Sequence, residues 1–447
     1  MKRFVIHLFV EKLLTFGYFS KIPQRQLMHG FLSYMLLGTI LLCLPISQKH
    51  YVSIVDNLFT SVSAVSTTGL ATVDIAESYS LFGQIVILFF IQMGGLGYMT
   101  LSSFLMLKIS RHLNSNGYLV LKTEFSIPQE FLLPTLLNRI VIFTFVFELL
   151  GAVGLSFIFY NNNIANPIWN GIFHSISAFC TAGFSLFQDS FMSLNLNGSI
   201  NLIISILSLA GGLGFIFLFD IWEKIVNQSH KTTFTTKVIF AISLLVLLFG
   251  TFQLFIFEPT IQYMDDYSKL TVSFFQAMTA MSTVGFNTID IGHLHPSSLM
   301  MIIFLMFIGA SPSGTGGGLK STSFFAVFAY VKTRLSHGND VSMFGNIIPK
   351  YRYRTALTLF VVYISCALLG TYLLTFSENA DLMPILFEAF SAIGTVGLSV
   401  GLTGSLTIFG KIIIIILMFI GRVGVLTFGN SILVKHHRIL KERDIVI

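Results

Sequence analysis

The sequence predicts an all-α polytopic membrane protein in which four M1–pore helix–M2 repeats surround one central pore. Three observations carry that expectation. The chain is strongly apolar: 54% of its 447 residues are hydrophobic and 10% are charged, with mean hydropathy +0.81, whereas soluble domains carry about 25% charged residues. A pentapeptide with glycine in fourth place occurs four times: Ser66-Thr67-Thr68-Gly69-Leu70, Cys180-Thr181-Ala182-Gly183-Phe184, Ser282-Thr283-Val284-Gly285-Phe286 and Gly394-Thr395-Val396-Gly397-Leu398. Its glycines lie 114, 102 and 112 residues apart, which divides the chain into four units. Finally, lysine and arginine collect in alternate connections.

Each unit reads as a long apolar segment, a short one, then a second long one. The segments fall near 30–48, 55–65 and 80–107; 139–160, 168–179 and 199–222; 238–258, 269–281 and 297–330; and 355–376, 383–393 and 407–434. A span needs roughly 20 apolar residues, and roughly 10–14 suit a re-entrant helix. This predicts eight transmembrane spans and four re-entrant pore helices. The implied organisation is a cytoplasmic N-terminal segment 1–29, repeat 1 at 30–112, a linker 113–137, repeat 2 at 138–226 and repeat 3 at 227–334. A second linker 335–351, repeat 4 at 352–435 and a cytoplasmic tail 436–447 complete it. The first twenty residues have broken apolar runs and no small-residue cleavage site, so an amphipathic helix near the membrane surface is expected rather than a signal peptide.

Of the 26 Lys and Arg, 21 lie in the N-terminal segment, the connections 108–139, 224–237 and 332–354, and the tail. With eight spans these all share one side, and only Lys49, Lys269 and Lys411 lie on the other. The positive-inside rule then places both termini in the cytoplasm. The formal charge of +6 is explained by this topology and does not point to nucleic acid. Cys43, Cys180 and Cys366 are far apart and form neither a disulfide framework nor a zinc pattern.

A pore helix ending within the membrane leaves carbonyls without partners, and irregular backbone there must be buried or line water. Four such ends at equivalent positions argue for a shared aqueous axis, with the negative helix ends favouring a cation. Glycine permits positive φ, and rings of carbonyls can replace the hydration shell of potassium. Thr67, Thr181, Thr283 and Thr395 add hydroxyls at one register. Small or β-branched residues before each glycine suggest an extended strand. The twenty residues of the pentapeptides are therefore the expected selectivity filter, coordinating potassium through backbone carbonyls.

A glycine-containing break recurs in each second span: MGGLGYMT at 93–100, AGGLGFIF at 210–217, GASPSGTGGG at 309–318 and GRVGVLTF at 421–428. In units one and two, close helix packing through small residues suffices to explain it. In unit three, Gly309–Gly318 is too small and polar for an intact helix. It reads as an intramembrane gate spanning 309–320, with Gly314, Thr315, Gly316, Gly317, Gly318 and Lys320 as gate residues. Arg422, at the matching point of unit four, must find a partner or water within the span and is expected to line the cavity below the filter. Glu148, Glu388, His174 and Gln276 read as structural hydrogen-bonding groups rather than ion ligands. Asp56 and Asn57 read as a helix N-cap. Asp220, Glu223 and Lys224 mark the end of a span.

These motifs, DNLFTSVSAVSTTGLATVD, FHSISAFCTAGFSLF, QAMTAMSTVGFNTID and FEAFSAIGTVGL above all, resemble the Trk/Ktr/HKT superfamily of potassium transporters, over nearly the whole chain. The similarity is greatest to the KtrB-type bacterial potassium-translocating subunit. The resemblance implies potassium uptake across the cell membrane, stimulated by sodium, by a homodimer with one pore per protomer. It also implies a cytosolic RCK-type nucleotide-binding regulatory subunit ring acting on the loop, with Arg422 contributing to the gate. Glycine at all four filter positions fits potassium selectivity, since relatives with serine at the first tend to admit sodium. Ala182, where units three and four have valine, and Val425, where relatives often have proline, depart from the pattern.

Two other classes are weighed. An alternating-access potassium/sodium cotransporter would show two inverted halves and a midplane substrate site, whereas the four units here run in one orientation; a less selective monovalent cation transporter is its variant. An enzyme is not expected, because the chain has no HExxH, no nucleophile elbow and no carboxylate pair at one depth. Gly309–Lys320 also fails the phosphate-loop pattern, since Leu319 rather than glycine precedes Lys320.

Overall fold

Each unit folds as a long helix, a short helix and a second apolar helix that stops at a glycine. The computed structural model describes residues 23–97, 100, 133–227, 229–336 and 340–433. Unit one contributes α1 (Pro23–Leu42), α2 (Ile54–Val65) and α3 (Leu81–Leu96). Unit two contributes α4 (Leu133–Asn161), α5 (Pro167–Phe179), α6 (Gly198–Leu213) and α7 (Phe215–Val226). Unit three contributes α8 (Phe234–Phe257), α9 (Asp266–Ser282), α10 (Pro296–Ile308) and α11 (Ser321–Leu335). Unit four contributes α12 (Lys350–Leu374), α13 (Leu382–Gly394), α14 (Ile408–Val423) and α15 (Val425–Leu433). The expected amphipathic N-terminal helix, most of the linker 113–137 and the tail lie outside the described residues.

The helix starts follow from side-chain oxygens that accept the first free N–H groups. Ser80 caps α3, Asn197 caps α6, Thr233 caps α8, Asp265 caps α9 and Thr407 caps α14. At α2 the cap is Ser53, which accepts from Asp56 N at 3.2 Å. Asp56, expected to be the cap, instead stands three residues into the helix and bonds back to Ser53 Oγ at 2.7 Å.

The second helices all stop at a glycine, which in units one and two corrects the expectation of a helix running on through a packing contact. They end at Gly97, Gly214, Gly309 and Gly424, with φ of 77°, 88°, 67° and 87°. An L-residue resists that backbone, and glycine does not. The breaks in units one and two are therefore true helix ends as well as packing contacts. α6 and α7 meet at 100°, and α14 and the segment after Gly424 meet at 96°. Among the described residues three helices are individually long and apolar enough to cross a membrane, and up to five if each bent pair is one span.

The units close on one another in a cycle. α3 packs on α5 of the next unit, α6 on α9, α10 on α13, and α14 returns to α2 of unit one. The inner faces form one hydrophobic core in which Phe59, Phe173, Phe275 and Phe387 of the four short helices are fully buried. Outward stripes such as Phe145, Leu149, Val153 and Phe157 on α4 stay exposed at helical spacing, as expected of surfaces that meet lipid. One departure from the all-α expectation is a small antiparallel hairpin, β1 (Ser342–Met343) with β2 (Asn346–Ile347). Its turn residues Phe344 and Gly345 have φ of 51° and 72°, the sign that two-residue hairpin loops require.

Candidate functional site

The four short helices α2, α5, α9 and α13 all end the same way. The threonine after each helix is left-handed: φ is 53° at Thr67, 51° at Thr181, 60° at Thr283 and 49° at Thr395. This corrects the expected extended strand. The next N–H turns back to a carbonyl five residues earlier: Thr68 to Ser63, Ala182 to Ser177, Val284 to Thr279 and Val396 to Ser391, at 2.8 to 3.1 Å. That closure satisfies orphan carbonyls at the helix end.

The chain then passes through the four glycines, all at positive φ: 92° at Gly69, 66° at Gly183, 84° at Gly285 and 92° at Gly397. Space forbids a side chain there as firmly as φ does. A Cβ on Gly69 would lie 2.3 Å from Ala182 O, on Gly183 2.1 Å from Val284 O, on Gly285 2.0 Å from Val396 O, and on Gly397 2.1 Å from Thr68 O. Each glycine thus abuts the preceding carbonyl of the next unit, and the fourth contact returns to the first. The result is a closed ring of four backbone carbonyls in contact with four glycines. All four glycines border one cavity of about 280 Å³, along with Leu70, Phe184 and Leu398.

A row that the sequence reading missed lies behind this ring. Ser63 Oγ accepts from Gly69 N at 3.0 Å and Ser391 Oγ from Gly397 N at 3.1 Å, while Ser177 Oγ donates to Phe184 O at 2.8 Å. Thr279 occupies the fourth place. The available signal was a hydroxyl residue six positions before every glycine.

On the other side of the threonines the loop between α10 and α11 packs against them. Thr315 Oγ1 lies 3.0 Å from Thr181 Oγ1, and Thr67 Oγ1 donates to Thr315 O at 3.2 Å. A Cβ on Gly316 would fall 2.0 Å from Thr283 Oγ1, and one on Gly317 2.3 Å from Thr395 Oγ1. Thr315, Gly316 and Gly317 therefore seat against all four threonines. The hydroxyls of Thr283 and Thr395 are buried without a hydrogen-bond partner. α6 holds the loop from the side, through Thr315 N to Gly211 O at 3.1 Å and Ser311 N to Gly212 O at 2.8 Å.

Two cations brace the loop. The Lys320 ammonium donates to Gly316 O. Arg422 donates to Thr67 Oγ1 at 2.9 Å, and also to Thr315 O and Gly94 O. It further faces the Phe31 ring at 5.9 Å. Lys320, Arg422, Gly314, Gly316, Gly317 and Gly318 border a second cavity of about 390 Å³. Positive charge here rests on the carbonyl dipoles of the loop and of α3.

The remaining polar residues sort clearly. Glu148 is buried, with Oε1 3.6 Å from Cys180 Sγ. His174, Gln276 and Glu388 are fully buried behind the glycine ring and bond the chain just beyond it. Asp220 does more than mark a helix end: it is buried and accepts from Thr233 N at 2.8 Å and meets His230 Nε2 at 2.7 Å. No group of three His, Cys, Asp or Glu side chains suited to a metal occurs among the described residues.

Comparison with known proteins agrees with this architecture. The family model for TrkH, a cation transport protein, matches residues 2–437. The chain is similar to the Ktr system potassium uptake protein B of Bacillus subtilis, 36% identical, covering 92% of each chain. It is also similar to the potassium/sodium uptake protein NtpJ of Enterococcus hirae, 35% identical over 93% of this chain and 94% of that one. The crystal structure of the potassium transporter TrkH from Vibrio parahaemolyticus shares the fold, with a TM-score of 0.72 at 18% identity, covering 92% of this chain and 85% of that one. The chain therefore belongs to the TrkH family of cation transport proteins.

Proposed function

We propose that this chain carries potassium into the cell across the cytoplasmic membrane through a channel-like pore. In this reading eight spans and four re-entrant helices surround the axis, and both termini face the cytoplasm. The pentapeptides at Ser66–Leu70, Cys180–Phe184, Ser282–Phe286 and Gly394–Leu398 are the selectivity filter, and Gly309–Lys320 with Arg422 is the gate. The observation that supports it best is the closed cycle of glycine-to-carbonyl contacts, made by four equivalent backbone segments. Carbonyl oxygens held by packing replace water around a monovalent cation with little reorganisation. The loop seated against Thr67, Thr181, Thr283 and Thr395 supports a closed, gated state. The names of the Bacillus and Enterococcus relatives support potassium as the cargo and sodium as a second ion. The same kinship supports a homodimer working with a cytosolic nucleotide-binding ring.

The test is potassium or rubidium uptake in cells lacking their own potassium systems, with and without sodium, with and without a co-expressed regulatory ring. Potassium-selective uptake that rises with sodium is the expected result. Sodium flux without potassium preference, in cells where the protein reaches the membrane, would overturn the filter assignment.

A further inference from the structure

Nine residues before each filter glycine, on the buried side of each pore helix, stand Thr60, His174, Gln276 and Glu388. All four are fully buried. Three of them reach past the glycine ring to the segment that follows it. His174 Nδ1–H donates to Asn170 O at 2.8 Å, which leaves Nε2 to accept from Ser185 Oγ at 3.0 Å and Leu186 N at 3.3 Å. Gln276 Oε1 accepts from Thr288 N at 3.4 Å. Glu388 accepts from Ser399 Oγ on one oxygen and from Thr403 Oγ1 at 2.7 Å on the other. Ser185 and Ser399 are both two residues beyond their glycine, and Leu186 and Thr288 are both three beyond. Three side chains of different chemistry thus do one job at one register.

We infer that His174, Gln276 and Glu388 are selectivity-positioning residues, which fix the outer side of the carbonyl ring by pinning the chain where it leaves each glycine. The inner side is already fixed by the helix-end turns, from Thr68 N to Ser63 O and its equivalents. A carbonyl ring distinguishes ions of different radius only if neither side can relax, so the outer pins decide how strictly it discriminates. Glu388 is the strongest pin. Its two carboxyl oxygens accept from two hydroxyls at once, which ties it to two points of the segment beyond the glycine. His174 is held in place by stacking on Phe187, with ring centroids 4.5 Å apart. None of these side chains borders the cavity outside the ring, so they act on the ion only through the backbone.

This inference rests on the filter reading, and the experiment separates the two. Potassium and sodium uptake are measured for the full chain, for Glu388→Leu, which removes both acceptor oxygens, for Ser399→Ala and for the double variant, with membrane abundance measured in parallel. Each single variant should lower the potassium-over-sodium preference by about tenfold. The double variant should be no worse than Glu388→Leu, because that change already removes the bond to Ser399. Ser185→Ala, a small change that leaves His174 in place, should give the same kind of loss if Glu388→Leu fails to reach the membrane. A selective parent whose Ser399→Ala and Ser185→Ala variants keep full selectivity would overturn the inference and leave the filter standing. Multiplying losses in the double variant would also overturn it, and an unselective parent would remove its foundation.

Discussion

At the scale of single residues, the four glycines of the carbonyl ring are constrained twice, by φ and by the neighbouring carbonyl. Gly69→Ser would place Cβ 2.3 Å from Ala182 O at φ 92°, a strain of about 1–3 kcal/mol. It should weaken discrimination against sodium in paired uptake measurements while the protein still reaches the membrane; unchanged selectivity would count against the register. Arg422→Gln removes a charge that donates to Thr67, Thr315 and Gly94. Uptake without a regulatory partner should rise severalfold, and a fall at equal membrane abundance would oppose the bracing role. The glycines, threonines and Arg422 were legible in the sequence because they break the rules of an apolar helix, and do so at a repeat period. Ser63, Ser177, Thr279 and Ser391 were not, because Ser and Thr bond their own helix and are unremarkable in membrane segments. Only after the glycines set a common register does a hydroxyl at every sixth preceding position stand out.

At the scale of elements, the short helices fell where apolar length and flanking polar residues placed them, within about three residues. The second helices did not. Hydropathy sees composition and is blind to φ, so Leu81–Leu96 and Gly198–Leu213 were expected to continue through Gly97 and Gly214. Gly214 also seats the loop: a Cβ there would meet Pro312 O at 2.5 Å and Gly314 N at 2.8 Å. Gly214→Ala should therefore displace the loop and raise basal flux, with a measurable loss of thermal stability in detergent. Deleting Ser311–Gly317 should raise flux further, and a folded but slower transporter would contradict the gate. Phe215 N and Ile216 N both bond Ser313, at 3.2 Å each, so α7 is fastened to the loop by its first turn. This contact was invisible in the sequence, since it joins residues about a hundred apart.

At the scale of the molecule, four units form a site only if the fourth closes on the first. α14 packs on α2, and Lys411 Nζ at the start of α14 bonds Asp56 Oδ1 on α2 at 2.6 Å, with Thr72 Oγ1 donating to the same oxygen at 2.7 Å. The pair is largely buried, so removing either partner strands the other. Lys411→Met should cost about 2 kcal/mol, read as a lower melting temperature, and Asp56→Asn should restore part of it in the double variant. The one-sided distribution of Lys and Arg underlies the proposed topology, but no spacing in the chain foretold which residues would join its ends. The most direct test of the central assignment is a crystal structure grown in rubidium, with anomalous scattering locating the ion. The prediction is density on the axis within the ring formed by Thr68, Ala182, Val284 and Val396, and between it and the threonine hydroxyls. Rubidium bound only elsewhere in the chain, with this ring empty, would contradict it.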